Sequence, residues 1–378
     1  MQQLTIRRAA GNGLAALCAL VALALLALPA GAEPALAQRT PTPTPRPRVQ
    51  PTATPVRTSA PAASPAPAPQ APALPRVAYN EEHPVLAYYY GWWEPEVLDW
   101  GAYQPSTRPA PGTRQIADDA GLLRKNIQQA QAAGVDGFIA NRIQDMARLM
   151  DVGGSADFRA TYQVDGNGDI AGQLGQFYQY VNSPAMVRYQ GRPVLFFWRA
   201  SVRDNSFWNA MRQQFDPERK VVWLADGDNF AFPAGDAWDG ISPYAIAWSP
   251  NPVSQIPAWG AKARAQMPGK LYVPPVSPGC DDSSVRAVTC LQNRADGAYY
   301  QATLDGALAS APEWGVVVST WNEWHESTSI EPAVQYGDLY LQLTRAFADR
   351  LKSVQAAADV IAPDPALREV VAPAEAGE

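Results

Sequence analysis

The sequence predicts an α/β protein, a single (β/α)8 TIM barrel preceded by a signal peptide and a Pro-rich disordered linker. Three observations point there. Beyond a low-complexity N-terminal stretch, residues 77–354 leave about 280 residues, the length of one such barrel. Short apolar, β-branched runs alternate with helical periodicity, which makes parallel βαβ units. Aromatic and acidic residues collect where those runs end, on the face where barrel chemistry gathers.

Residues 1–37 read as the signal peptide. Arg7 and Arg8 precede an apolar run from Leu14 to Leu28, and small residues follow at Ala30-Gly31-Ala32 and Ala35-Leu36-Ala37. A retained anchor is the other reading, but the run is shorter than the ~20 residues a spanning helix needs. Cys18 lies inside the run after Leu17, which does not suit a lipoprotein. Residues 38–76 are the linker. Between 40 and 75 there are 12 prolines and no glycine, a composition that favours extended polyproline II and cannot bury a core. It is long enough to tether the domain to a cell envelope. Residues 355–378 are rich in Ala, Pro and Glu and read as a loose tail.

Within the domain, Val85 to Tyr90 reads as the first strand, broken by Gly91. A helix is expected over 114–133, with Ile116, Ala120, Leu123, Ile127 and Ala130 on one face and Gly134 as its stop. Val135 to Ala140 is the second strand. Further strands are expected at Arg192–Trp198, Lys220–Ala225, Gly240–Ala245, Lys270–Val276 and Gly315–Thr320. A last helix over 338–354 carries Leu339, Leu343, Phe347 and Leu351 on one face. That makes seven strands; the eighth belongs in the region 141–190.

Charge and ligand inventory exclude several classes. The chain has 30 basic and 36 acidic residues, net −6; without the first 76 residues it holds 23 and 35, net −12. A nucleic-acid partner calls for a basic footprint, so none is expected. The two histidines, His83 and His325, cannot make a His-cluster metal site, and no metal or cofactor is expected. Asp165-Gly166-Asn167-Gly168-Asp169 has Ile170 and Gln176 where a calcium loop needs Gly and Glu, so it reads as a polar turn. Cys280 and Cys290 are the even pair left in an exported chain, and a disulfide between them is expected.

The chemistry concentrates in Trp321-Asn322-Glu323-Trp324-His325-Glu326-Ser327-Thr328-Ser329-Ile330-Glu331-Pro332, just past the apolar run 315–320. Two carboxylates three residues apart, flanked by indoles, suit glycoside hydrolysis: one acid protonates a leaving oxygen, the other assists attack, and flat rings stack on sugar. Tyr89, Tyr90, Trp92, Asn141, Trp198, Asp226 and Tyr244 also stand at or just past strand ends and are expected at the same mouth. The plainer alternatives are that most of these rings are core, and that the acids pair with arginines such as Arg199 or Arg286. Trp321 and Trp324 bracket the acids and are expected at the cleft edge.

This string resembles the signature of glycoside hydrolase family 99, the endo-α-mannosidases and endo-α-1,2-mannanases, roughly Asn-Glu-Trp-His-Glu-Gly-Thr-Gln-Ile-Glu-Pro. Pro278-Gly279-Cys280-Asp281-Asp282 with Arg286 resembles the family's Pro-Gly-Tyr-Asp-Asp segment. Tyr88-Tyr89-Tyr90-Gly91-Trp92-Trp93 resembles its early Tyr-Tyr-x-Trp-Tyr segment. The resemblance implies a secreted retaining enzyme that cleaves internal α-mannosidic or similar α-glycosidic bonds. Glu323 would deprotonate the sugar's own 2-hydroxyl, which attacks the anomeric carbon to give a 1,2-anhydro sugar. Glu326 would be the general acid and then the general base. Tyr89, Tyr90, Trp92, Trp198, Tyr244, Asp281, Asp282, Asn322, Trp324 and His325 would bind substrate. A monomer is expected, with a polysaccharide or glycan as its substrate partner. The chain departs from the pattern at Ser327 (the family's Gly), Ser329 (its Gln) and Cys280 (its aromatic). Phe197-Trp198-Arg199 stands where a His-x-Glu/Gln-Pro segment is expected. An ordinary double displacement, an α-glucan substrate, and a non-catalytic lectin-like barrel remain alternatives.

Overall fold

A computed structural model of the protein describes residues 79–93, 106–110, 120–154 and 157–361, with side chains of the last helix through Ser353. The expected leader and linker, the first turns of the expected 114–133 helix and the end of the tail lie outside these residues.

Among the described residues there are twelve strands, in chain order: β1 (Val85–Tyr89), β2 (Gly137–Ala140), β3 (Arg159–Asp165), β4 (Arg188–Tyr189), β5 (Arg192–Trp198), β6 (Val222–Ala225), β7 (Gly240–Ile241), β8 (Leu271–Tyr272), β9 (Pro275–Val276), β10 (Cys280–Asp281), β11 (Leu291–Gln292) and β12 (Val316–Val318). The described α-helices are α1 (Ala120–Ala132), α2 (Ile143–Gly153), α3 (Ile170–Phe177), α4 (Asn205–Phe215), α5 (Pro252–Gln266), α6 (Ala298–Ala309) and α7 (Leu339–Ile361). From β1 to β8 strand and helix alternate, apart from the short β4 just before β5 and a 3₁₀ turn at Phe232–Ala234 in place of a helix between β6 and β7; β8 to β11 then follow one another before α6. Helix α7 continues past Val354 into the segment expected to be loose.

The large sheet runs β8-β7-β6-β5-β3-β2-β1-β12-β9, and all of these neighbours are parallel. β8 bonds to β7 and β9 to β12, yet only Val273 and Pro274 separate β8 from β9. Pro274 and Pro275 offer no N–H to a ladder, so the strand changes partner there. Both ends of the sheet order are therefore one chain segment. The sheet curls round upon itself as a (β/α)8-like barrel.

Strand parity sorts the core into two layers. Val85, Ala87 and Tyr89 join the outer core under the helices, with Phe138, Tyr162, Phe197 and Trp321. Leu86, Tyr88 and Tyr90 face inward with Ile139, Val194, Phe196, Leu224 and Val317. Because successive side chains on a strand point to opposite faces, Tyr89 and Tyr90 occupy different layers.

The strand hidden in 141–190 is β3, Arg-Ala-Thr-Tyr-Gln-Val-Asp. Ala160, Tyr162 and Val164 pack outward, leaving Thr161, Gln163 and Asp165 on the other face. This alternation of polar and apolar residues is not the apolar run a buried parallel strand normally shows.

Candidate active site

The acid motif is a compact loop that closes on itself beyond β12. The Trp321 N–H donates to the Tyr88 carbonyl at 2.8 Å, and the Glu323 N–H to Thr320 Oγ1 at 2.8 Å. The Thr328 N–H returns to the Glu323 carbonyl at 3.1 Å. Buried Arg294 donates to the carbonyls of Ser327 and Ser329 at 2.6 and 2.8 Å. Asn322 fixes the loop to β1: its side chain accepts from the Tyr90 N–H and donates to the Tyr90 carbonyl, both at 2.8 Å.

Ser327 has φ = 51°, a left-handed conformation that costs a side-chain-bearing residue about 1 kcal/mol. Its hydroxyl oxygen accepts from Ser106 at 3.0 Å, which returns about 1 kcal/mol. Ser327→Gly is therefore expected within about 1 kcal/mol of wild type, while Ser327→Ala keeps the strain, loses the bond and costs about 1 kcal/mol. Urea midpoints measure the order; Ala matching wild type would remove the role given to the hydroxyl.

A cleft of about 500 Å³ opens at the C-terminal ends of the strands, lined by Tyr90, Trp92, Asn141, Gln163, Asp165, Trp198, Tyr244, Val285, Arg286, Glu323, His325 and Glu326. Glu323 and Glu326 both face it. Glu323 is buried, and desolvation followed by repulsion from Glu326 pushes its carboxyl up to about 8. The His325 N–H, 3.1 Å from Glu323 Oε1, and Arg286 oppose that rise. Burial lowers His325, whose Nδ1 is 4.0 Å from the same oxygen. Glu326 is more exposed and is paired with the Arg286 guanidinium. The two carboxyls thus differ in kind, one buried and proton-retaining, the other ion-paired at the rim. This is the separation that acid and base roles require.

Aromatic groups wall the cleft. Tyr90 and Tyr244 share a hydroxyl–hydroxyl bond of 2.8 Å, and Trp92 packs on Tyr90 with ring centroids 4.5 Å apart. Burial first raises both phenols well above their ordinary value, reinforced by Glu323 at Tyr90 and by Tyr90 and then Glu326 at Tyr244, so they stay neutral donors. Arg199 lies over Trp198, 4.9 Å from its ring, and does not pair with the acids.

Other residues expected to bind substrate lie elsewhere. Tyr89 packs on Phe138 in the outer core. Trp321 and Trp324 are buried: Trp321 lies against Phe138, and Trp324 clusters with Trp93 and Ala333. Neither stands at the cleft edge, because the loop folds its indoles inward while its carboxylates face out. Asn322 is fully buried in its bonds to Tyr90. Asp281 holds the Ser283 hydroxyl at 2.6 Å beside a separate small groove. Asp282 is fully buried and organises its own loop. Asp226 accepts the Tyr244 N–H at 2.7 Å. Cys280 and Cys290 are joined in a disulfide, Cα atoms 5.8 Å apart.

Gln163, Asp165 and Val285 were not expected in the cleft. The first two come from the unrecognised β3. Asp165 also accepts the Asn167 N–H at 2.9 Å, and Asp169 caps α3 through the Gly172 N–H, so that stretch is a polar turn.

The family model of glycosyl hydrolase family 99 matches residues 172–351, which include the 278–286 and 321–332 motifs. A mouse (Mus musculus) glycoprotein endo-alpha-1,2-mannosidase-like protein is 28% identical over 207 residues, 48% of this chain and 45% of that protein. The Mus musculus glycoprotein endo-alpha-1,2-mannosidase is 26% identical over 203 residues, 46% and 44% of the two. The chain thus spans about half the length of the curated relatives it matches. The solved GH99 endo-alpha-mannosidase of Bacteroides thetaiotaomicron superposes with a TM-score of 0.64 at 20% identity, over 74% of this chain and all of that one. At that identity the superposition speaks for the fold. The likeness to family 99 first seen in three short motifs therefore extends to the family model, to sequence relatives and to the fold.

Proposed function

We propose, for a chain that carries the family-99 pattern over residues 172–351, that it is a retaining glycoside hydrolase cutting internal α-mannosidic or similar α-glycosidic bonds of a polysaccharide or glycan. The observation that carries this reading is the unequal acid pair in an aromatic-walled cleft. Glu323 is the base for the sugar 2-hydroxyl. A hydroxyl is a reluctant acid, and a carboxylate with raised proton affinity is the stronger base toward it. Glu326 is the general acid and later the general base that activates water. Tyr90, Tyr244, Trp92 and Trp198 form the sugar-binding walls. Export through residues 1–37 and display on the 38–76 linker would place a monomeric enzyme outside the cell, on its polymer.

The same electrostatics favour a second reading, with the roles exchanged. Glu323, neutral below about 8, would be the proton donor, and Arg286-paired Glu326 would be the ionised partner of an ordinary double displacement. Incubation with α-mannans, α-glucans and glycan oligomers, with product sizing, tests the activity. Internal cleavage of an α-mannan with retained anomeric configuration is the expected result. Cleavage of α-glucan alone moves the substrate, and sugar binding without any hydrolysis moves the protein to the lectin-like class.

A further inference from the structure

We propose that the disulfide-closed loop Cys280–Cys290 is a positioning clamp for Glu326, pressing the Arg286 guanidinium against that carboxylate and gripping its backbone. The proposal rests on the acid-pair reading above and adds a residue and a loop to it.

The loop is built for holding. β10 and β11 pair antiparallel at its base, beside the disulfide. Inside it, Asp282 is fully buried and accepts from the Thr289 N–H at 3.0 Å, the Cys290 N–H at 3.1 Å, the Thr289 hydroxyl, and Arg286 Nε at 2.8 Å. Burial alone would raise that carboxyl, but these donors outweigh it and hold it well below the ordinary carboxylate range. Asp282 is therefore a fixed anion that fixes one edge of the Arg286 guanidinium. The Nη2 of the same guanidinium meets Glu326. Two further bonds reach the motif's backbone: the Asp281 N–H donates to the Glu326 carbonyl at 2.8 Å, and the Ser284 hydroxyl to the His325 carbonyl at 3.3 Å. The loop thus holds residues 325 and 326 by main chain and side chain together. A guanidinium presents these donors in one rigid plane, which an ammonium on a flexible stem does not.

Arg286 is 45% exposed, so its stem contributes little to the core, and its charge reaches Glu323 across the cleft. Glu323 also faces Glu326, His325, Tyr90 and Tyr244. Of these, Glu326 raises its proton affinity while Arg286 and the His325 N–H lower it. Glu323 is therefore a reporter of where Arg286 sits.

The test is a ¹³C carboxyl NMR titration of glutamate-labelled full-length protein, the Glu323 signal being identified by its loss in Glu323→Gln. Arg286→Gln is expected to raise the Glu323 midpoint and Glu326→Gln to lower it. Cys280→Ser/Cys290→Ser is expected to raise it as Arg286→Gln does, with Arg286→Lys in between. On a cleaved glycan, Arg286→Gln and the double serine variant should each lose about tenfold or more in kcat with KM little changed. A midpoint unmoved by Arg286→Gln overturns the proposal. So does one that Arg286→Gln moves and a folded double serine variant does not. The titration needs no turnover, so an inactive wild type would defeat the hydrolase reading without touching this result.

Discussion

Glu323→Gln is expected to lose about 10³-fold or more in kcat/KM on a cleaved glycan while melting at a higher temperature than wild type near pH 8. The two effects share one cause. Glu323 is buried, and its carboxyl is pushed from 4.5 to about 8 by desolvation first and Glu326 second. In the unfolded chain the same group ionises near its ordinary value, so the folded state retains a proton that the unfolded state has released. The sign follows. The stabilising proton is fully held below about 4.5, and its contribution is lost progressively as pH rises toward about 8. Each pH unit in that window costs wild type up to about 1.4 kcal/mol. Glutamine keeps the shape and never ionises, so the variant escapes the loss. The measurement is a pair of melting curves against pH from 4 to 9 alongside kinetics. Parallel curves, together with activity within tenfold of wild type, would remove Glu323 from both roles.

A large activity loss with a gain in stability is hard to obtain from a structural residue, since removing a buried structural group normally destabilises. The contrast therefore separates catalytic use of Glu323 from mere packing without any bound ligand. It also frames the position of the motif: the chain accepts a destabilised carboxyl at the end of β12 and supports it with Thr320, Arg294 and Asn322 around it.

How much of this was legible in the sequence depends on the range over which each feature is encoded. Local patterns were readable. Val316–Val318 is a β-branched apolar run, and its reading as the strand that delivers the acids needed no tertiary information. The Cys280–Cys290 pair was readable by elimination, since two cysteines remain once the expected leader is set aside. β3 was not, because its cleft-facing positions are Thr161, Gln163 and Asp165, and function there replaced the hydrophobic signal. The Tyr89 placement was available and overlooked: two adjacent strand residues cannot share one face, so Tyr90 in the mouth puts Tyr89 in the helix layer. The burial of Trp321 and Trp324 depends on how a loop folds back over Phe138 and Trp93, which no periodicity encodes. The bond from Arg286 to Glu326 spans 40 residues and arises from a loop conformation; sequence offered Arg286 only as one of two candidate partners.

The division of labour between the acids gives the second large effect. With Glu323 as base, kcat/KM should climb about tenfold per pH unit on the acidic side and level near about 8, where that carboxyl becomes ionised. Glu326→Gln should lose about 10²- to 10⁴-fold on a natural glycan, whose leaving oxygen needs a proton. On an aryl or fluoride leaving group, which departs without one, the same variant should recover most of its first-step rate. Glu323→Gln should stay slow on both, because base assistance is missing whatever leaves. A 2-deoxy substrate should not turn over, since its internal nucleophile is absent. The exchanged roles predict the mirror image: kcat/KM falling above about 8, rescue of Glu323→Gln by the good leaving group, and a glycosyl ester trapped on Glu326. Arg286 sharpens the choice. The Arg286 guanidinium occupies Glu326 Oε1, so the base-at-Glu323 mechanism requires the leaving oxygen or a bound sugar hydroxyl to draw that pair apart. Arg286→Gln should accordingly show its loss on poor leaving groups and keep most of its rate on good ones if Glu326 is the acid, and lose rate on both if Glu326 is the nucleophile that the guanidinium holds in place.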